Sequence, residues 1–353
     1  MTLYSKLQAN PEFIALCAVS ERLGSDPLQV QGPGGNTSIK SADLMWVKAS
    51  GTWLSDALTT DLFVPVYHEV LAAALVADDG RANDVGPFTC AAENPSGLRA
   101  SIEATVHASM PAKVVLHTHC VATIAAAVRT DAPTFLAAKL AGLPYAFIPY
   151  AKPGIDLARA IRQHAPAGTQ ILILGNHGLV TCGATVAEAD SLLRDVSARL
   201  TPSTLAGSAD ITAAFCEKLS GSEWIPVPHG PSQQIAHDAR LLALADGRTL
   251  YPDHLVFLGP GVTVVREGEQ LKDVLTCAGQ QQFPSKLVIM PGQGVAIPDS
   301  ATPSEIALAR ALGDVLVRIE PQVSVSRLSG AQEAELLDWD AEVYRQSLNR
   351  EGR

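Results

Sequence analysis

His117 and His119 close the apolar run Val114-Val115-Leu116-His117-Thr118-His119, and on a strand an i, i+2 spacing turns both imidazoles to one face. Two nitrogen donors on one face can share a metal ion. A histidine at a strand end also serves as an ordinary hydrogen-bonding residue, and the spacing alone leaves both roles open. His177 follows a second apolar run, Ile171–Leu174, in the turn Gly175-Asn176-His177-Gly178, where flanking glycines free the backbone to aim one side chain. Three histidines leave at least one coordination position open, as catalytic rather than structural metal sites do. Glu103 falls on a short helix before the H-x-H strand, with His107 one turn on and on the same face. A lone helical glutamate is otherwise a solvated surface residue.

Two small-residue turns add anion-binding capacity. Gln31-Gly32-Pro33-Gly34-Gly35-Asn36-Thr37-Ser38 offers free amides and the Asn36 and Ser38 side chains as a cradle, and it is not a P-loop because no Gly-Lys-Ser/Thr follows. Lys48-Ala49-Ser50-Gly51-Thr52 follows a strand and carries a cation able to offset phosphate or carboxylate charge. Either turn by itself also reads as plain punctuation.

The elements that would hold these residues alternate. The pattern predicts helices at Glu12–Leu23, Ile102–Ser109, Ala122–Val128, Phe135–Ala141, Asp156–His164 and Val186–Leu200. Strands are predicted at Leu44–Lys48, Val114–His117, Ala146–Pro149, Ile171–Leu174 and Leu179–Cys182. This is an α/β or α+β domain ending near Leu200. The Thr-, Ser- and Gly-rich stretch Thr201 to Ser208 marks a boundary, giving a catalytic domain over 1–205 and a smaller α/β domain over 206–353.

The second domain carries a faint echo of the first. Ile171–Leu174, Gly-Asn-His-Gly, Leu179–Cys182 and a helix opening Thr185-x-x-Glu188 resemble Leu287–Met290, Pro-Gly-Gln-Gly, Val295–Ile297 and a helix opening Thr302-x-x-Glu305. Thr-x-x-Glu is the spacing of a reciprocal capping box. Gln293 stands where His177 stands, so a partial, degenerate repeat would have lost its ligand there, and the chemistry belongs to the first domain.

Composition narrows the class. Of 353 residues, 47% are hydrophobic and 18% charged, which suits a globular chain with a sizeable core. A net charge of −10 without Lys/Arg runs argues against nucleic acid or acidic membrane as a partner. No basic-then-apolar leader opens the chain and no run reaches the ~20 apolar residues of a membrane span, so a cytoplasmic location is expected. The six cysteines, with no C-x-x-C pair, are read as reduced thiols. His68, His107, His164, His229, His237 and His254 show no ligand spacing and are read as surface or core residues.

Taken in order, Gly35-Asn36-Thr37-Ser38, Lys48-Ala49-Ser50-Gly51, Ser101-Ile102-Glu103, His117-Thr118-His119 and Asn176-His177-Gly178 resemble the motifs of the class II aldolase/adducin family over roughly residues 8–200. The later segment from Tyr251 to Gly261 resembles the extension of the aldolase half of bifunctional rhamnulose-phosphate aldolases. The resemblance implies a three-layer αβα catalytic domain and one divalent ion per subunit, zinc above all, on His117, His119 and His177. Glu103 would be both a ligand of the empty metal and the proton-transferring group. It places substrate contacts at Gly35, Asn36, Ser50, Gly51 and Ser101, with Ile102 where the family has a second serine. The connection from Glu103 to the H-x-H strand is about one turn shorter than in fuculose-phosphate aldolase, so it must tighten for Glu103 to reach the metal. The implied activity is cleavage of a ketose or ketose phosphate through a metal-stabilised enediolate, in a homo-oligomer, tetramer or dimer. The acid that protonates the leaving aldehyde has no assignment. Decarboxylases, epimerases and dehydratases of sugar phosphates share the chemistry, although glutamate rather than aspartate at 103 favours an aldolase over an epimerase. A non-catalytic, adducin-like scaffold is the alternative of another class.

Overall fold

The computed structural model describes residues 3–94 and 96–337; the stretch 338–353, which the sequence places in the second domain, lies outside the described residues. The chain divides into two compact units. One comprises the described residues up to Thr123 with Pro133–Leu200, and the other comprises Ile124–Ala132 with the described residues from Thr201 onward. A single boundary in sequence does not express the excursion at Ile124–Ala132.

The first unit contains, in chain order, α1 (Leu3–Gln8), α2 (Pro11–Ser25), β1 (Asn36–Ser41), β2 (Leu44–Lys48), β3 (Phe63–Tyr67), α3 (His68–Val76), α4 (Ala104–Ser109) and β4 (Val114–Thr118). Next come α5 (Val121–Ala127), which passes at Ile124 into the residues of the second unit, and then α6 (Ala132–Lys139), β5 (Tyr145–Ile148), α7 (Ile155–His164), β6 (Ile171–Leu174), β7 (Gly178–Gly183) and α8 (Val186–Leu200). Its seven-stranded sheet runs β3-β2-β1-β4-β7-β6-β5. Every neighbouring pair is antiparallel except β5 with β6.

Helices cover both faces. Val115, Leu172, Leu174, Val180 and Cys182 pack with residues of α4 and α7, whereas Thr181, of opposite parity, hydroxyl-bonds the Ala189 carbonyl of α8. The product is a mixed α/β, three-layer architecture. Burial on both faces is why β4 and β6 read as unbroken apolar runs instead of alternating ones. Helix α2 starts where Asn10 accepts from the Glu12 amide and Pro11 occupies the first turn. In α8, Val186, Ala189, Leu193, Val196 and Leu200 form the buried stripe.

Four elements of the first unit, the short α1 among them, escape the sequence pattern. Strand β1 is polar (Asn-Thr-Ser-Ile-Lys-Ser) although its first four residues are buried. Strand β3 contains Pro65, which is tolerated because β3 is a sheet edge. Helix α3 follows β3 without an intervening turn.

The second unit contains α9 (Ala213–Leu219), β8 (Trp224–Pro226), α10 (Gly230–His237), α11 (Ala239–Ala245), α12 (Pro252–Leu258), β9 (Thr263–Val264), α13 (Leu271–Gly279), β10 (Val288–Met290), β11 (Gly294–Pro298), α14 (Pro303–Leu316) and α15 (Gly330–Leu337). Its sheet runs β8-β11-β10-β9, antiparallel except for β10 with β9.

The two Thr-x-x-Glu openings differ in detail. At α14 the box closes: Thr302 Oγ1 accepts from the Glu305 amide, and the Glu305 carboxylate accepts from the Thr302 amide at 2.8 Å. At α8 the Thr185 half forms, but the Glu188 carboxylate accepts from the Ala184 amide instead, one residue early. Gly183 permits this, because a Cβ there would stand 2.8 Å from that of Glu188. No described helix is long and apolar enough to cross a membrane. The six cysteines are free thiols.

Candidate metal centre

The four residues come from three places on the same side of the sheet. His117 lies in β4 and His119 just past its end, between β1 and β7 in the sheet; the register sets His117 opposite Asn36 on one side and Val180 on the other. His177 belongs to the turn closing the β6–β7 hairpin, where Leu174 pairs with Gly178. Glu103 is the residue immediately before α4, one position short of the helix expected for it. One ligand-capable atom from each of Glu103, His117, His119 and His177 lies within 4.8 Å of the others, and all four residues are buried.

Glu103 Oε1 sits 3.1 Å from His177 Nε2 and 3.3 Å from His117 Nε2, so the short connection does tighten enough to bring the carboxylate to the histidines. Burial opposes its charge, yet the flanking imidazoles of His117 and His177 outweigh that and hold the carboxyl well below the usual range.

The donor set fits a first-row divalent ion. His117 Nδ1 lies 3.0 Å from the Leu179 carbonyl, an acceptor only, which holds a ring proton there, so that loss of the Nε2 proton would leave a lone pair for an ion. His119 Nε2 lies 3.2 Å from His117 Nε2. Three imidazoles and one carboxylate converging in this way are what zinc and its neighbours accept.

The turn that carries His177 works differently from the sequence reading. The left-handed residue is Asn176, at φ 55°, a conformation asparagine tolerates. The glycines serve close approach: a Cβ on Gly178 would lie 2.4 Å from the Thr118 carbonyl oxygen, and one on Gly175 would lie 2.9 Å from the Tyr150 amide. In the Gly-rich turn, Gly35 combines both demands, with φ 58° and only 2.9 Å between a would-be Cβ and the His117 carbonyl.

Asn36 donates from Nδ2 to Glu103 Oε2 at 2.5 Å, and its Oδ1 accepts from His107 Nε2. Ser38 Oγ lies 2.7 Å from His107 Nδ1, so this hydroxyl faces His107, away from the role of anion cradle expected of it. His107 is fully buried, and burial pushes its imidazole down to about 3. The sequence reading set His107 on the face of Glu103 and took it for a surface or core residue; it is a core residue, outside the ligand cluster, that reaches Glu103 through Asn36.

The second turn is joined to the first. An isolated bridge pairs Ala49 with Ala100, the Ser50 amide donates to the Arg99 carbonyl at 2.9 Å, and the buried Lys48 ammonium donates to the Pro33 carbonyl at 3.0 Å. Ser101 Oγ accepts from the Glu103 amide at 3.3 Å. Gly51 adopts φ 75°. Gly35, Asn36, Lys48 and Ser101 are therefore built into one frame with Glu103, to which Ser50 and Gly51 attach through the Ala49–Ala100 bridge.

Such a frame surrounds a histidine-carboxylate cluster that could hold a metal ion in an α/β domain, and residues 14–196, over half the chain, match the class II aldolase and adducin N-terminal domain. The chain belongs to that family. A Bacillus subtilis (strain 168) protein described as "Uncharacterized oxidoreductase YuxG" is 28% identical over 180 residues, 47% of this chain and 26% of its own. The chain thus matches about a quarter of that relative's length. Among solved structures, the N-terminal class II aldolase domain of a conserved Thermoplasma acidophilum protein is 28% identical, covering 53% of this chain and 90% of that one at a TM-score of 0.46. L-fuculose-1-phosphate aldolase from Thermus thermophilus is 19% identical, covering 53% and 92% at a TM-score of 0.35.

Proposed function

We propose that this protein is a divalent-metal-dependent carbon–carbon lyase that cleaves a ketose or ketose phosphate, with zinc held by His117, His119, His177 and, before substrate enters, Glu103. The observation that carries the reading is the buried cluster of one carboxylate and three imidazoles. A divalent ion there supplies Lewis-acid stabilisation of negative charge developing on substrate oxygen. Glu103 holds its carboxylate between two imidazoles and the Asn36 amide, so Oε2 stays anchored while Oε1, which faces the histidines, would take a proton from substrate carbon or return it. Gly35, Ser50, Gly51 and Ser101 line the substrate side in this reading, whereas Asn36, expected beside them, has its amide on Glu103 and His107. A small-molecule substrate, a homo-oligomeric assembly and a cytoplasmic setting complete it.

The second unit repeats the framework without the ligands. Its strands β8, β9, β10 and β11 repeat the order and sense of β4, β5, β6 and β7, which supports a partial repeat. Pro226 pairs with Ala296 as His117 pairs with Val180, and Gln293 closes its hairpin as His177 does. By the same register Pro228 falls at the position of His119. The repeat has no ligand at any of the three positions.

The test is elemental analysis of purified protein beside a His117→Ala/His119→Ala variant, followed by a ketose-phosphate cleavage screen on the metal-loaded sample. Near-stoichiometric zinc, manganese or cobalt, lost in the variant, is expected together with aldehyde release. Carbon dioxide release would move the assignment to a decarboxylase. A wild type that takes up no divalent ion after reconstitution would leave the scaffold alternative.

A further inference from the structure

We infer that His107, backed by Ser38, is a positioning residue that acts through Asn36 to fix the orientation of the Glu103 carboxylate. Asn36 and Ser38 are two residues apart on β1 and share a face; Glu103 and His107 are four apart at the start of α4 and share a face. The two pairs interdigitate into one chain, Ser38 to His107 to Asn36 to Glu103.

Each link is forced by the one before it. An ionised carboxylate only accepts hydrogen bonds, so Asn36 must turn its NH2 toward Glu103 Oε2. The amide oxygen then faces His107, whose Nε2 must carry the ring proton. His107 Nδ1 is left as an acceptor, and the Ser38 hydroxyl, 2.7 Å away, is its donor. The other carboxylate oxygen, Oε1, remains directed at His117 and His177.

Asn36, Ser38 and His107 are all at or below 2% exposure, so solvent offers no substitute donor if a link is removed. Without His107 the Asn36 amide is held from the Glu103 side alone and its buried oxygen loses its donor, so the amide is free to shift toward a new partner and draw the carboxylate with it. The cost would appear at the metal, as supporting shells around ligands generally act. A histidine serving only as core filling would cost stability and leave the coordination unchanged.

The proposal rests on the metal-dependent reading above, and its test separates the two. Full-length protein is loaded with Co2+, and the visible absorption spectrum and the Co2+ affinity by chelator competition are compared for wild type, Glu103→Gln, His107→Phe, Ser38→Ala and His107→Gln. Expected are a spectral change in His107→Phe in the same direction as in Glu103→Gln, Co2+ binding weakened about tenfold, and recovery of most of both in His107→Gln, whose amide can still donate to Asn36. Ser38→Ala, a smaller perturbation, should show the same change in weaker form and carries the test if His107→Phe does not fold. A wild-type spectrum in His107→Phe or in folded Ser38→Ala, with Glu103→Gln altered, overturns the relay alone. A wild type that binds no Co2+ overturns the metal reading and the relay with it.

Discussion

Gly178→Ala isolates backbone geometry from chemistry, because the residue offers no ligand atom and yet sits against the ligands. A Cβ there would lie 2.4 Å from the Thr118 carbonyl oxygen, about 1 Å inside the 3.4 Å at which ordinary contact begins, and 3.4 Å from ring carbons of both His117 and His119. Thr118 pairs with Leu179 in the β4–β7 ladder, so the obstructing atom is backbone and cannot swing aside as a side chain would. Relief requires β4 and β7 to separate locally, and overpacking of this kind costs roughly 1–3 kcal/mol. For a unit of this size that corresponds to a fall in Tm of about 2–4 °C per kcal/mol.

The same separation moves His117 away from the Leu179 carbonyl that orients its ring, and moves His117 and His119 relative to His177. Ion affinity should drop by about ten- to a hundredfold, as when an orienting partner is lost. The assay is thermal unfolding with and without added zinc, paired with chelator competition. Gly80→Ala, where an added Cβ meets nothing within 4 Å, is the control and should bind as wild type. A Gly178→Ala protein that melts lower but binds zinc with wild-type affinity would refute the claim that this close approach sets the ligand geometry.

Acid should expose His254, whose imidazole burial pushes down to about 4 while Nε2 donates to the Gly261 carbonyl at 3.0 Å. As pH falls from 6.5 toward 4 the unfolded chain takes up this proton and the folded one does not, so stability is full above 6.5, declines through the window by at most about 3 kcal/mol, and levels off below it. His254→Gln should flatten that part of the stability-against-pH curve, and an unchanged slope in denaturant titrations would count against it. Thr302→Ala removes the closed capping box of α14 and should cost about 1 kcal/mol in the same titrations, whereas Thr185→Ala, which breaks only half a box, should cost less. Ser20 Oγ donates to the Leu16 carbonyl and so receives the Thr37 hydroxyl at 2.7 Å. Ser20→Ala strands a buried hydroxyl at a cost of roughly 1–3 kcal/mol, and most of that should vanish in the Thr37→Val background; additivity within about 0.5 kcal/mol would deny the pairing.

How much of this was legible depends on the range of the interaction. Strands β2 and β6 and helix α8 fall on the residues their patterns indicate, because a run buried on both faces and an amphipathic stripe are local signals. The histidine triplet was legible for a similar reason: period two in β4 and a hairpin turn after β6 each aim a side chain without help from distant chain. Asn36, by contrast, meets Glu103 across 67 positions of sequence, an approach that no local pattern signals. The glycines of the His177 turn were found in the right place for an incomplete reason. Sequence reads glycine as conformational freedom, whereas the positive φ fell to Asn176 and the missing Cβ atoms matter for the approach of neighbouring backbone.

Strand β1 joins the questions of fold and site. A polar hexapeptide near the middle of a seven-stranded sheet runs against the burial rule for sheets covered on both faces. It is sustained because its buried polar side chains have partners on alternating faces: Thr37 toward α2 through Ser20, and Asn36 and Ser38 toward α4 through Glu103 and His107. Unpaired, such groups would each cost more than a hydrogen bond returns, so the strand is stable only as a completed network. The requirement that makes β1 hard to recognise in sequence therefore also fixes the carboxylate. The chain cannot satisfy its central polar strand without placing Glu103 against the histidines of β4 and of the β6–β7 turn.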